Sequence, residues 1–157
     1  MEIIALRGLI DAVGVCDDVI VRIRKHPKEA DGKFKGFLGD RVEMDKTADP
    51  FSSISRAKIV VSVSSMLMIE ALIFGKSVIS YQPRTKDGKN DFILTRNGTL
   101  PFIDDAGVFK RHLMKVLGGH GETTQLRQNQ VGNIMCHGVI GRIVEFIKGH
   151  SYGKVGN

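Results

Sequence analysis

Two adjacent serines, Ser64 and Ser65, lie within an otherwise apolar stretch, VVSVSSMLMIEALIFGKSVIS, residues 60–80. The pattern predicts a strand followed by a helix that begins near Met66. Both hydroxyls would then lie beside the free backbone N–H groups of the first helical turn. Such a junction favours negative charge and can bind a phosphate. A serine at this position can equally act only as a helix cap, and the sequence leaves both roles open.

Glu70 interrupts the apolar face of the same predicted helix, MLMIEALIF. It lies one to two helical turns beyond the serines. A carboxylate there can accept hydrogen bonds from both hydroxyls of a ribose whose phosphate binds the serines. The alternative is a solvent-facing glutamate with no such role.

A second polar group, RKHPKE, residues 24–29, begins where the strand predicted in DVIVRIRKHP ends, near Arg24. Pro27 restricts the loop, and His26 beside it can donate a hydrogen bond to a phosphate oxygen or act as an acid. Lys28 adds a positive charge that would favour the same phosphate. His26 is thus a candidate catalytic residue, and the sequence identifies no other. The alternative is an exposed loop histidine without a role.

The elements that position these residues alternate between short apolar strands and helices, which is typical of a parallel α/β sheet covered on both faces. The strands read DVIVRIRKHP, RVEMDK, KIVVSV and KSVISYQP, with a further short strand after the helix in DFILTRNGTLPFID. Helices are predicted over residues 2–15 and 131–148. Three further helices are predicted between them, in DPFSSISRA with Asp49 as cap, in SSMLMIEALIFG ended by Gly75, and in DDAGVFKRHLMKVLGG. The last of these should face inward with Val108, Leu113, Val116 and Leu117.

We therefore expect a Rossmann-like three-layer α/β/α fold with a mostly parallel sheet. It forms one domain over residues 1–150, followed by a flexible tail, 151–157. Ligands of such sheets bind beyond the carboxyl ends of the strands. The two polar groups should accordingly lie at the same edge of the sheet.

Composition excludes some classes of protein and leaves others open. The chain has 157 residues, 42% of them hydrophobic and 25% charged, which is average for a globular domain. The net charge of +6 is spread along the chain, and aromatic residues make up only 6% with no Trp, so a nucleic-acid partner is not expected. Neither Cys16 nor Cys136 belongs to a Cys/His cluster, and we expect no disulfide, metal or cofactor. The N-terminus lacks the basic region of a signal peptide, which favours a cytoplasmic protein.

The combination of KHPKE with VSVSSMLMIEALIFGKSVISYQP resembles the C-terminal, donor-binding half of GT-B glycosyltransferases. The likeness covers residues 18–105. It is nearest to bacterial families with a His-Pro and a Ser-Ser motif, namely sialyl- and polysialyltransferases, capsule polysaccharide transferases and CDP-glycerol glycerophosphotransferases. The pattern S-x-x-x-x-E-A-x-x-x-G-K-x-V-I is also similar to that of UDP-N-acetylglucosamine 2-epimerases.

The resemblance implies a site in which His26, Ser64, Ser65 and the backbone at Met66 bind the phosphates of a CMP-, CDP- or UDP-linked sugar and Glu70 binds the ribose. Lys28 is a further candidate for phosphate binding because of its positive charge alone. The function implied is donor binding in surface polysaccharide synthesis, in the cytoplasm or at the inner face of the membrane. In such enzymes the acceptor site lies in a separate N-terminal domain. The chain would then be either a fragment of such an enzyme or one that works with a partner subunit or as a homodimer to supply the other half. The alternatives are an isomerase domain like that of the 2-epimerases and a non-catalytic nucleotide- or protein-binding module.

Overall fold

A computed structural model describes residues 1–83 and 92–120, and these form a mixed α/β structure. The helices are α1 Glu2–Val13, α2 Pro50–Arg56, α3 Leu67–Ile73, α4 Ile93–Arg96 and α5 Ala106–Leu117, with a 3-10 turn at Lys35–Phe37. The strands are β1 Val21–Ile23, β2 Val42–Met44, β3 Ile59–Ser62 and β4 Ser77–Ser80. The predicted helix over 131–148 and the predicted tail lie outside the described residues. No helix in the described ranges is long and apolar enough to cross a membrane.

The strands form two parallel pairs. β1 pairs with β2, Val21 opposite Val42, and β3 pairs with β4, Ile59 opposite Ser77. Ile103 extends the second pair through a parallel bridge to Tyr81. The sequence thus predicts the position of each strand and the parallel arrangement within each pair.

The outer edge of β2 is occupied by the turn that precedes it. The N–H of Gly39 donates to the carbonyl of Val42 at 3.0 Å, and the N–H of Val42 donates back to Gly39 at 3.2 Å. On its other edge β2 bonds to β1, because the N–H of Val21 donates to Arg41 and that of Asp45 to Ile23. The residues of β2 therefore alternate between the two edges.

One hydrophobic core joins residues from both strand pairs and from the two longest described helices. Its fully buried members include Ile79, Tyr81 and Phe109, and the rings of Tyr81 and Phe109 stack with centroids 4.0 Å apart and an angle of 6° between planes. A Cβ at Gly8 of α1 would come within 2.9 Å of the Tyr81 ring. This contact explains why α1 carries a glycine where it crosses the ring.

The inward face of α5 differs from the predicted one at one position. Leu113 is buried as predicted, and Val116 and Leu117 pack against the core, but Val108 is exposed. Phe109 takes the inward place instead. It lies four residues before Leu113 and so shares its face, whereas Val108 is rotated by about 100° from Phe109.

Local sequence signals set the ends of α2 and α3 as predicted. The carboxylate of Asp49 accepts hydrogen bonds from the N–H groups of Phe51 and Ser52 at 3.1 and 2.9 Å, which caps α2. α3 ends at Ile73, and it is terminated by Gly75, whose φ of 69° is left-handed. The N–H of Lys76 then donates to Ala71 at 2.9 Å, which together with the bond from Gly75 to Leu72 forms a Schellman motif.

Candidate functional site

The connection between β3 and α3 carries the two serines at the protein surface. Ser64 and Met66 are exposed, and Ser65 is half-buried. The Ser65 hydroxyl oxygen accepts a hydrogen bond from the N–H of Leu67 at 3.3 Å, so this serine supports the first helical turn. Within the described part of the chain, the N–H groups of Ser64, Ser65 and Met66 donate to no protein acceptor. Three donors and two hydroxyls are thus available on one short loop.

A buried chain of polar side chains supports this loop from below. The Ser80 hydroxyl donates to the carbonyl of Val63 at 2.9 Å, and the Gln82 side-chain amide donates to Ser80 at 2.9 Å. Gln82 also approaches the hydroxyl of Thr95 at 3.5 Å, and all three polar residues are buried. Because Val63 directly precedes the serines, this network fixes the point where β3 ends. The sequence prediction missed it, although a glutamine between a buried strand and a proline was a visible signal.

Glu70 is buried, with 6% of its surface exposed. The alternative of a solvent-facing glutamate is therefore wrong. The reason is that α3 is enclosed over five consecutive residues, Met68 to Leu72, so no face of it is left to solvent at this position. A carboxylate has two oxygens and about four acceptor positions, so a contact inside the protein leaves capacity for a further donor.

The loop after β1 holds His26 in a defined turn. The N–H of His26 donates to the Glu29 carboxylate at 2.7 Å, and the N–H of Glu29 donates to the carbonyl of His26 at 2.9 Å. The ring atom Nδ1 of His26 accepts a hydrogen bond from the N–H of Lys28 at 3.2 Å. A neutral imidazole with Nδ1 as acceptor carries its hydrogen on Nε2. Both His26 and Lys28 are exposed, so the Nε2–H donor is open to a ligand.

Glu29 is itself held by charged neighbours. Lys33 contacts the carboxylates of both Glu29 and Glu2, which links the loop to the first turn of α1. The hydrogen bond from Lys33 is the main reason why the pKa of Glu29 lies below its ordinary value, and it outweighs the opposing effect of burial. Bonds to Glu2 and then to Glu29 raise the pKa of Lys33. Lys25 also donates to the carbonyl of Glu29, at 3.0 Å.

Arg24, the first residue of this segment, is not available to a ligand in the same way. Its Nη1 lies 2.7 Å from the Asp45 carboxylate, 2.8 Å from the carbonyl of Thr47 and 3.0 Å from the hydroxyl of Ser53. The Asp45 side chain is 1% exposed and that of Arg24 27%. Burial alone would raise the pKa of Asp45, but hydrogen bonds from Ser53, Thr47 and Arg24 hold it far below 3.8. This ion pair fastens the loop after β2 to the end of β1.

The predicted site residues thus fall into two exposed loops and one buried helix position. No hydrogen bond or ion pair joins the His26 loop to the serine loop in the residues that are described. A groove of about 500 Å³ runs along β2 instead, lined by Arg22, Met44 and Arg56 among others, and includes none of the predicted site residues. In the same ranges no cluster of three or more His, Cys, Asp or Glu side chains is arranged to hold a metal ion.

Comparison of the chain with protein-family models, with curated proteins and with solved structures gave no match.

Proposed function

We propose that this chain binds a nucleotide-linked sugar as the donor-binding half of a GT-B glycosyltransferase, with a CMP-, CDP- or UDP-sugar as the donor and a role in surface polysaccharide synthesis. The observation that carries the proposal is the loop of Ser64, Ser65 and Met66, with its hydroxyls and with N–H groups that donate to no acceptor among the described residues. A phosphate has several strong acceptor oxygens and requires such a set of donors.

The arrangement of strands supports a single Rossmann-like sheet. Among the described residues, β1 forms a ladder with β2 and β3 forms a ladder with β4. Residues of β1 and β4 nevertheless share one core. Placing β1 beside β3 gives the order β2-β1-β3-β4, followed by Ile103, and right-handed connections are the rule for such parallel strands. In that order the loops after β1 and β3 are adjacent at the carboxyl edge of a three-layer sheet.

The predicted site residues then bind different parts of the donor. The serine loop and the Nε2–H of His26 bind phosphate oxygens, and Lys28 contributes charge from an exposed position. Glu70, buried in α3, accepts from the ribose hydroxyls. This assignment concerns donor binding. Transfer of the sugar also needs an acceptor site, which in GT-B enzymes belongs to the other Rossmann-like domain.

Titration of the folded protein with CMP, CDP, UMP and UDP by calorimetry tests the proposal. We expect binding of at least one nucleotide below millimolar concentration. Loss of a hydrogen bond to a charged group weakens binding by roughly tenfold or more, so Ser65→Ala and Glu70→Gln should each do so. Ser55→Ala removes an exposed helical serine and serves as the control. The proposal fails if no nucleotide binds at millimolar concentration to a sample that circular dichroism shows to be folded.

The pattern from Ser65 to Ile79 also favours a second candidate, a domain like that of the UDP-N-acetylglucosamine 2-epimerases. The same titration separates the two. An epimerase-like site requires uridine nucleotides and UDP-N-acetylglucosamine, and a clear preference for cytidine nucleotides would exclude it.

A further inference from the structure

We propose that Glu29 is the positioning residue for His26, fixing the imidazole in the tautomer that presents Nε2–H to an anionic oxygen. This inference rests on the proposed function for the identity of the anion, a nucleotide phosphate. The geometry of the loop itself is independent of any ligand.

Every polar group of Glu29 is used to hold the loop. Its carboxylate accepts from the N–H of His26 at 2.7 Å, and its own N–H donates to the His26 carbonyl at 2.9 Å. Its carbonyl accepts from Lys25 at 3.0 Å. The second carboxylate oxygen contacts Lys33, which is anchored to Glu2 of α1. The hydrogen bonds between Glu29 and His26 therefore close the turn, and Lys33 links the turn to α1.

This closure brings the N–H of Lys28 to the imidazole. The bond from Lys28 to Nδ1, 3.2 Å long, exists only while the backbone turns sharply between His26 and Glu29. With Nδ1 occupied as an acceptor, the ring hydrogen resides on Nε2. Without the turn, nothing in the described contacts of His26 selects between the two nitrogens. Glu29 thus acts on a ligand only through His26.

The tautomer can be measured directly in the full chain. Long-range proton–nitrogen correlation spectra of the labelled protein distinguish Nδ1–H from Nε2–H rings, and a His26→Gln variant assigns its signal among the five histidines. We expect the Nε2–H form in the wild type and a mixture of tautomers in Glu29→Ala. Glu29→Gln keeps an acceptor for the His26 N–H and should retain most of the Nε2–H form. Asp31→Ala removes an exposed acid that pairs with Lys25 in the same loop, and it should leave the tautomer unchanged.

Binding of CMP and UDP supplies the second measurement. Glu29→Ala should weaken the binding of the preferred nucleotide by about tenfold, and Asp31→Ala by less than about twofold. If Glu29→Ala fails to fold, Lys33→Met removes the anchor of the same carboxylate and should shift the tautomer in the same direction, though less than Glu29→Ala would. An unchanged His26 tautomer in folded Glu29→Ala, or in folded Lys33→Met if Glu29→Ala does not fold, overturns the inference. A tautomer change with no nucleotide binding by the wild type overturns the proposed function and leaves the role of Glu29 standing.

Discussion

The ion pair between Arg24 and Asp45 gives the sharpest prediction about stability. Asp45→Asn keeps the shape of the side chain but leaves the Arg24 guanidinium without its counter-charge in a largely dehydrated position. Breaking a buried pair by removing one partner costs about 3–5 kcal/mol. Because 27% of the Arg24 side chain is exposed, water replaces part of the lost interaction, and we expect a loss of about 2–3 kcal/mol.

A matched control lies two residues earlier along the same two chain segments. Arg22 and Glu43 are opposite each other in the ladder and form an ion pair with 38% and 50% of their side chains exposed. Exposed pairs contribute about 0.2–1 kcal/mol, so Glu43→Gln should have a small effect. Urea denaturation at pH 7 measures both variants. A loss in Asp45→Asn no larger than that in Glu43→Gln would refute the burial argument.

The same pair predicts how stability depends on pH. The Asp45 carboxyl has an ordinary pKa of 3.8 when unfolded and a much lower pKa when folded. The Asp45 carboxylate therefore makes its full contribution to the free energy of unfolding above the unfolded pKa. This contribution is lost as the pH falls, by about 1.4 kcal/mol per pH unit once the pH is well below the unfolded pKa. The stability gap between wild type and Asp45→Asn should narrow by about 1 kcal/mol between about pH 5 and about pH 3. Parallel curves for the two proteins would show that the folded pKa is not lowered.

Three further substitutions test the packing and the capping of the described elements. Gly8→Ala places a Cβ 2.9 Å from the stacked Tyr81 ring and should cost about 1–3 kcal/mol, while Gly36→Ala, with open space around it, should cost less than about 1 kcal/mol in the same urea assay. Asp49→Ala removes the cap of a helix and should lower the free energy of unfolding by about 1 kcal/mol, seen as a lower midpoint at unchanged slope. Gln82→Leu breaks the buried polar network and should cost about 1–3 kcal/mol, and a neutral result in thermal unfolding would show that the network is not needed.

The sequence predicts best those features that depend on neighbouring residues. The cap at Asp49 and the termination of α3 by Gly75 were both identified correctly, because each depends on a few residues in one turn. The face of α5 was predicted only in part. Val108 and Phe109 are both apolar, and the choice between them is made by the ring of Tyr81, which is distant in the sequence.

The roles of charged residues were harder to predict, because they depend on partners that sequence spacing does not reveal. Arg24 lies in a basic segment of the sequence, but in the structure it forms an ion pair with Asp45, which directly follows β2. Glu29 is visible in the sequence as an acid three residues after His26, a spacing at which a side chain can reach back to the N–H of the earlier residue, as it does in a capping box. The burial of Glu70 followed from how completely α3 is enclosed, which an amphipathic pattern does not show.

The small turn at Gly39 has a consequence for how this protein behaves in concentrated solution. In β2 the outward-facing N–H and carbonyl groups belong to Val42 and Met44, and Gly39 already occupies both groups of Val42. In the described part of the chain, Met44 is therefore the one residue of β2 whose outward N–H and carbonyl groups make no backbone hydrogen bond. Single positions do not template strand addition, which requires a row of unpaired groups. The turn thereby leaves β2 too few free positions for edge-to-edge pairing with another strand.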